Sequence, residues 1–241
     1  MTRNLRVLGA VIALGGLLAC SSAEDVSPAA TSVPVVTITT VASPQAKMCE
    51  PAPRADLRGC DFSEADLFRA DLSEADLRGA NLAGAVLEQA RLGGAFLQGA
   101  DLTGAYLSSA DLRGTTFDEN AELDGAQLNN ADLAFSYLDG ASLRNSQLEN
   151  ANLESAWLLG ANLTGANLTG ANLQQANLHS VNATGTKFIR ANLQNAELEL
   201  AVLTNADFTN ADLTNADLRG TDITGATFKG TILVRTLGYN P

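Results

Sequence analysis

A chain of 241 residues is long enough for one domain with a substantial core, yet this one is 46% hydrophobic and only 5% aromatic. Its 27 acidic residues against 15 basic ones give a net charge of −12, which opposes binding to a phosphate backbone. One histidine and three cysteines leave little for a zinc site or a nucleophile–base pair, so catalysis and direct nucleic-acid binding are both disfavoured.

In chain order, Arg3 and Arg6 precede an apolar run over 7–16 that is about half the length needed to cross a bilayer. This predicts a secretory signal peptide over 1–19. The residues Leu17-Leu18-Ala19-Cys20 resemble the lipobox of bacterial lipoproteins. That resemblance implies lipid on the Cys20 thiol and cleavage before it. It also implies an exported protein, anchored to the outer face of the bacterial plasma membrane or to the outer membrane. Residues 21–47 are rich in Ser, Thr, Ala, Val and Pro, lack aromatics and show no amphipathic period. With Cys20 they are expected to form a lipidated, disordered tether over 20–47, extended by its prolines.

Residues 48–54 contain Pro51 and Pro53 and are expected to form an N-terminal cap. From Ala55 the chain repeats every five residues, with a large apolar side chain at 57, 62, 67 and onward to 117. One residue is inserted within Asp118-Glu119-Asn120, and the series resumes at Leu123 and runs to Leu233. A period of five fits neither a helix nor an ordinary strand. Within each block, however, a small residue (nearly always Ala) and the large one stand two apart. In an extended segment they point the same way. A corner after every block makes these side chains converge, and four corners close a coil of about twenty residues.

The blocks Ala-Asp-Leu-Arg-Gly, Cys-Asp-Phe-Ser-Glu and Ala-Asp-Leu-Phe-Arg resemble the pentapeptide-repeat family, whose A(D/N)LXX motif runs nearly unbroken over 55–233. The resemblance implies an all-β solenoid: a right-handed quadrilateral parallel β-helix, here of about nine coils. At Val181-Asn182-Ala183 the small and large inward residues are exchanged, which conserves volume within one block. Only the tail 234–241 is left to cover the far end, where Leu237 and Tyr239 are expected to fold over the last coil. An end-to-end homodimer through this edge is a further expectation.

Stacking the sequence by coils puts Asp56, Asp76, Phe96, Thr116, Tyr137, Trp157, Asn177, Glu197 and Asp217 in one outward column. Phe96, Tyr137 and Trp157, with Leu159 and His179 two residues further along their coils, form a candidate binding patch. Exposed apolar side chains in one place mark interaction surfaces. The Asp and Asn of the other columns are read as structural, since short polar side chains at corners bond nearby backbone N–H groups. No metal or cofactor site is expected: the exposed pair Asp56 and Asp76 lacks a bidentate loop. No catalytic residue is identified either, because His179 is the only imidazole and no carboxylate pair stands in contrasting environments.

Two function classes remain. The favoured one is a non-catalytic binding or scaffold module of the cell envelope, held to the membrane through Cys20, with an envelope protein or glycan as partner. The alternative is a DNA-mimicking acidic rod of the quinolone-resistance type that binds DNA gyrase or topoisomerase. Export and the scarcity of acids over 140–195 disfavour it. With Cys20 acylated, Cys49 and Cys60 remain. Cys60 occupies an inward small-residue position beside the cap that carries Cys49, so a disulfide between them is expected.

Overall fold

The computed structural model describes residues 49–118 and 121–239, within the unit Ala46–Pro241. The expected signal peptide 1–19, Cys20, the tether 20–47 and Met48 of the cap lie outside the described residues. So do Glu119 and Asn120 of the insertion and the last two residues.

Each block forms one side of a coil. The residue before the large apolar one bridges in parallel to its counterpart a full coil later, as Asp56 does to Asp76 and Asp76 to Phe96. Four such ladders, beginning at Asp56, Asp61, Asp66 and Asp71, stand five residues apart. Backbone groups are spent between coils: Leu57 N–H donates to Asp76 C=O at 2.8 Å, and Asp76 N–H to Ala55 C=O at 2.9 Å. A turn then closes each block. Cys60 N–H donates to Leu57 C=O at 3.1 Å, and Gly59 between them has a φ of +63°. A positive φ at that place is what a type II turn requires, which explains the Gly and Asn so frequent at the end of a block.

The outward Asp or Asn braces the same corner. The Asp61 carboxylate accepts from Ser63 N–H at 3.0 Å and from Ser63 Oγ–H at 2.7 Å. Inside, the apolar ladders form one continuous core from Leu57 to Leu218. Val181 and Ala183, exchanged in sequence, are both fully buried. The inserted residue is absorbed at a single corner. The step between bridge partners is 20 residues through Phe96–Thr116, lengthens to 21 from Asp101–Glu122 through Thr116–Tyr137, and returns to 20 at Glu122–Ser142. The ladders continue across it in register.

The two ends differ. Cys49 and Cys60 are joined in a disulfide with a Cα–Cα distance of 5.8 Å, and Phe62 and Leu67 of the first coil are buried. At the far end Ile223, Phe228 and Leu233 are only partly buried. Tyr239 packs edge-on against Phe228 at 4.9 Å, closing a stack that continues through Phe208 and Phe188. Leu237 departs from expectation. It does not cover the core but bridges to Asp217 in the outward ladder position and is 51% exposed. The reason is register: the next large inward place after Leu233 falls on Gly238, so its predecessor must point out.

Candidate functional site: an aromatic side of the solenoid

The first ladder carries Phe96, Thr116, Tyr137, Trp157, Asn177 and Glu197 in successive coils. The Tyr137 and Trp157 rings stack with centroids 6.3 Å apart and planes 23° from parallel, and both are nearly half exposed. Leu159 follows Trp157 on the same side and is also exposed. Phe96 is exposed too but stands two coils before Tyr137, with Thr116 between them. His179 is partly buried one coil beyond Leu159, its N–H donating to the Asn177 side-chain oxygen at 3.0 Å. Its Nδ1 lies 3.9 Å from Glu199, which Arg219 holds at 2.6 Å. Tyr137, Trp157 and Leu159 therefore form the centre of the patch, and Phe96 and His179 its margins.

Sequence reasoning missed Phe135. It sits at the corner just before Tyr137, is 58% exposed, and has a φ of +60°. A bulky side chain in the left-handed region costs about 1 kcal/mol or more, and exposure offers no packing to offset it. The signal was present in the sequence: an aromatic in the block-ending place that elsewhere favours Gly and Asn. Between these two residues, the buried Ser136 hydroxyl makes no hydrogen bond among the described residues. Three consecutive residues across one corner thus depart from what stability alone prefers, which is where functional sites are expected.

Beside Trp157 lies a groove of about 190 Å³ lined by Ser155, Ala156, Trp157, Gln175, Asn177 and Glu197. Ion pairs flank the aromatic centre along the side. On the N-terminal flank Arg58 pairs with Asp56 at 2.7 Å and Arg78 with Asp76 at 2.6 Å. On the other, Arg219 holds Asp217, and its guanidinium pulls that carboxyl below the usual carboxylate range. Single exposed aromatics occur elsewhere, at Phe68 beneath the Arg69 guanidinium and at Tyr106, both on the third ladder's side. Among the described residues, only the first side has two exposed rings stacked.

Sequence profiles of pentapeptide repeats match residues 54–84, 80–118 and 121–158, and a profile of the pentapeptide repeat region matches 158–228. The chain belongs to the pentapeptide-repeat family. Among solved structures it is similar to HetL, a pentapeptide repeat protein involved in heterocyst differentiation regulation from the cyanobacterium Nostoc. The two are 35% identical over 75% of this chain and 83% of that one, with a TM-score of 0.59. A pentapeptide repeat protein of the Arabidopsis thaliana thylakoid lumen is 35% identical over 53% of this chain and 70% of that one, with a TM-score of 0.23. QnrB1, a plasmid-mediated fluoroquinolone resistance protein, is 19% identical over 70% of this chain and 88% of that one, with a TM-score of 0.47. Among curated proteins no sequence matches.

Proposed function

We propose that the protein is a non-catalytic binding or scaffold module of the bacterial cell envelope, anchored by lipid at Cys20 and acting through the aromatic side of its solenoid. The coils wind right-handed, about nine in number, and the tether 20–47 holds them clear of the membrane. The stacked and exposed Tyr137–Trp157 pair carries this reading: in a chain with 5% aromatic residues, two exposed rings side by side form a contiguous apolar patch of the kind that marks an interaction surface. Phe135 and Leu159 extend the same surface, and the flanking ion pairs give it the polar rim typical of interaction sites.

The charge of −12 is the one feature that favours a gyrase-binding DNA mimic instead. Arginine pairing at Asp56, Asp76, Asp111, Asp124 and Asp217 weighs against it, because a mimic needs an uninterrupted run of unpaired acids. The test is crosslinking in intact cells followed by recovery of the protein. Tyr137→Ala combined with Trp157→Ala should abolish recovery of the partner while leaving the thermal unfolding midpoint within a few degrees. Recovery at the wild-type level would refute the reading. Cys20→Ala should move the protein from the membrane fraction to the soluble one, and a gyrase-binding rod would be cytosolic from the start.

A further inference from the structure

We propose that the aromatic side docks a basic amphipathic helix of a partner protein, laid diagonally across it from Phe135 to Leu200. The inference rests on the reading of this side as a binding surface and adds the kind of partner that fits it.

Two corner residues draw the diagonal. Glycines aside, the described residues of positive φ are polar or charged with two exceptions, Phe135 at +60° and Leu200 at +59°. Both are 58% exposed, so little packing offsets what the left-handed backbone costs. Phe135 stands at the corner where the first ladder's side begins, in the coil of Tyr137. Leu200 stands where that side ends, three coils on, in the coil of Glu197. Tyr137, Trp157 and Leu159 lie between them, and only His179 and Ser180 separate Leu159 from Leu200. The exposed apolar side chains therefore form an oblique stripe. Three coil steps make about 14 Å along the solenoid, and with the width of the side about three to four helical turns cover the stripe.

The backbone narrows the class of occupant. Leu138 N–H donates to Trp157 C=O at 2.7 Å and Trp157 N–H to Ser136 C=O at 2.9 Å, so these groups are spent between coils. An extended segment finds no edge to pair with and would lie there with its own backbone unmatched. A helix satisfies its backbone internally and needs only an apolar stripe. Charge selects among helices. Asp118 and Asp139 border the stripe on one flank, Glu197 and Glu199 on the other, and the first ladder's blocks from Thr116 to Leu200 carry no lysine or arginine. Arg219 reaches Glu199 from the next coil, which leaves Asp118, Asp139 and Glu197 to set the sign of the margins. An acidic helix is repelled there, and one with Lys or Arg along both edges of its apolar face is matched.

Trp157 is the only tryptophan of the chain, so its emission reads the stripe directly. The full chain is titrated with a peptide of about 14 residues, Leu and Lys at helical spacing. Two controls accompany it: the same composition in an order without a helical face, and a version with Glu in place of Lys. The first peptide should shift the emission saturably in the micromolar range, and the controls should not. By calorimetry, Phe135→Gly with Leu200→Gly should weaken binding about tenfold. The same variant should keep an unfolding midpoint no lower than wild type, since glycine suits both corners. Asp139→Asn with Glu197→Gln should weaken binding and flatten its salt dependence, and Tyr106→Ala on the third ladder's side should leave it unchanged. No saturation with the first peptide overturns the proposal, as do equal binding of the reordered peptide and unchanged affinity in the Phe135→Gly, Leu200→Gly variant. If the peptide fails while Tyr137→Ala with Trp157→Ala still abolishes crosslinking in cells, the side is a binding surface whose occupant is not a helix. If both fail, the binding reading fails with it.

Discussion

Gly238 and Gly104 both have a positive φ, but their surroundings differ. A Cβ on Gly104 would meet nothing within 4 Å, whereas on Gly238 it would stand 2.5 Å from the Arg219 nitrogen and 2.6 Å from its Cα. Gly104→Ala should therefore cost about 1 kcal/mol, the left-handed penalty alone. Gly238→Ala meets backbone that has nowhere to go, so it should cost about 2 kcal/mol or more and lift Tyr239 off Phe228. Chemical denaturation of the two variants checks the difference. Ser136 offers the opposite case. Its buried hydroxyl has no partner among the described residues, while Thr115 and Ser146 in equivalent places donate to Leu112 and Leu143 carbonyls at 2.6 and 2.7 Å. Ser136→Ala should stabilise the protein by about 1 kcal/mol, and a loss of stability would show that the hydroxyl is satisfied in solution.

At the scale of the coil, the choice between Asp and Asn at the outward place sets how each coil responds to acid. The Asp61 and Asp71 carboxyls are held below the usual range by the Ser63 and Ser73 hydroxyls and backbone N–H groups, and Asp222 by Thr224 in the same way. A carboxylate whose pKa falls on folding stabilises the fold above its unfolded pKa of about 4, and that contribution is lost as the pH drops through the folded value. In the middle coils Asn162, Asn167 and Asn182 accept the equivalent bonds from Thr164, Thr169 and Thr184 and do not titrate. Amide exchange at a pH of about 3 should accordingly rise in the first and last coils while coils around 150–195 stay protected. Uniform loss of protection would contradict this. The coil was readable in sequence because its period is strict and its inward places are filled by little besides Ala, Leu and Phe. The groove was not, because Gln175 and Glu197 lie on different ladders twenty-two residues apart and look like ordinary solvent-facing repeat residues. The expectation for Leu237 fails for a related reason: the last inward place falls on a glycine, which carries no hydrophobic signal.

For the whole molecule, a stack in which each coil contacts only its neighbours is weakest at its ends. The disulfide closes a loop of 11 residues at the N-terminal end, and replacing Cys49 and Cys60 together by Ala should cost about 3 kcal/mol and expose the first coil to proteolysis. The far end has no such staple among the described residues: Tyr239 and the partly buried Ile223, Phe228 and Leu233 close it. Stability is thus shared by all four sides, while function is assigned to one. A single coil offers the direct test, since Leu159, Thr164, Thr169 and Gln174 occupy the same place in its four successive blocks. A photocrosslinking residue placed at each in turn, in intact cells, should form adducts at 159 and at background level at 164, 169 and 174. Equal labelling of all four, or labelling strongest at 169, would contradict a solenoid that binds through its aromatic side.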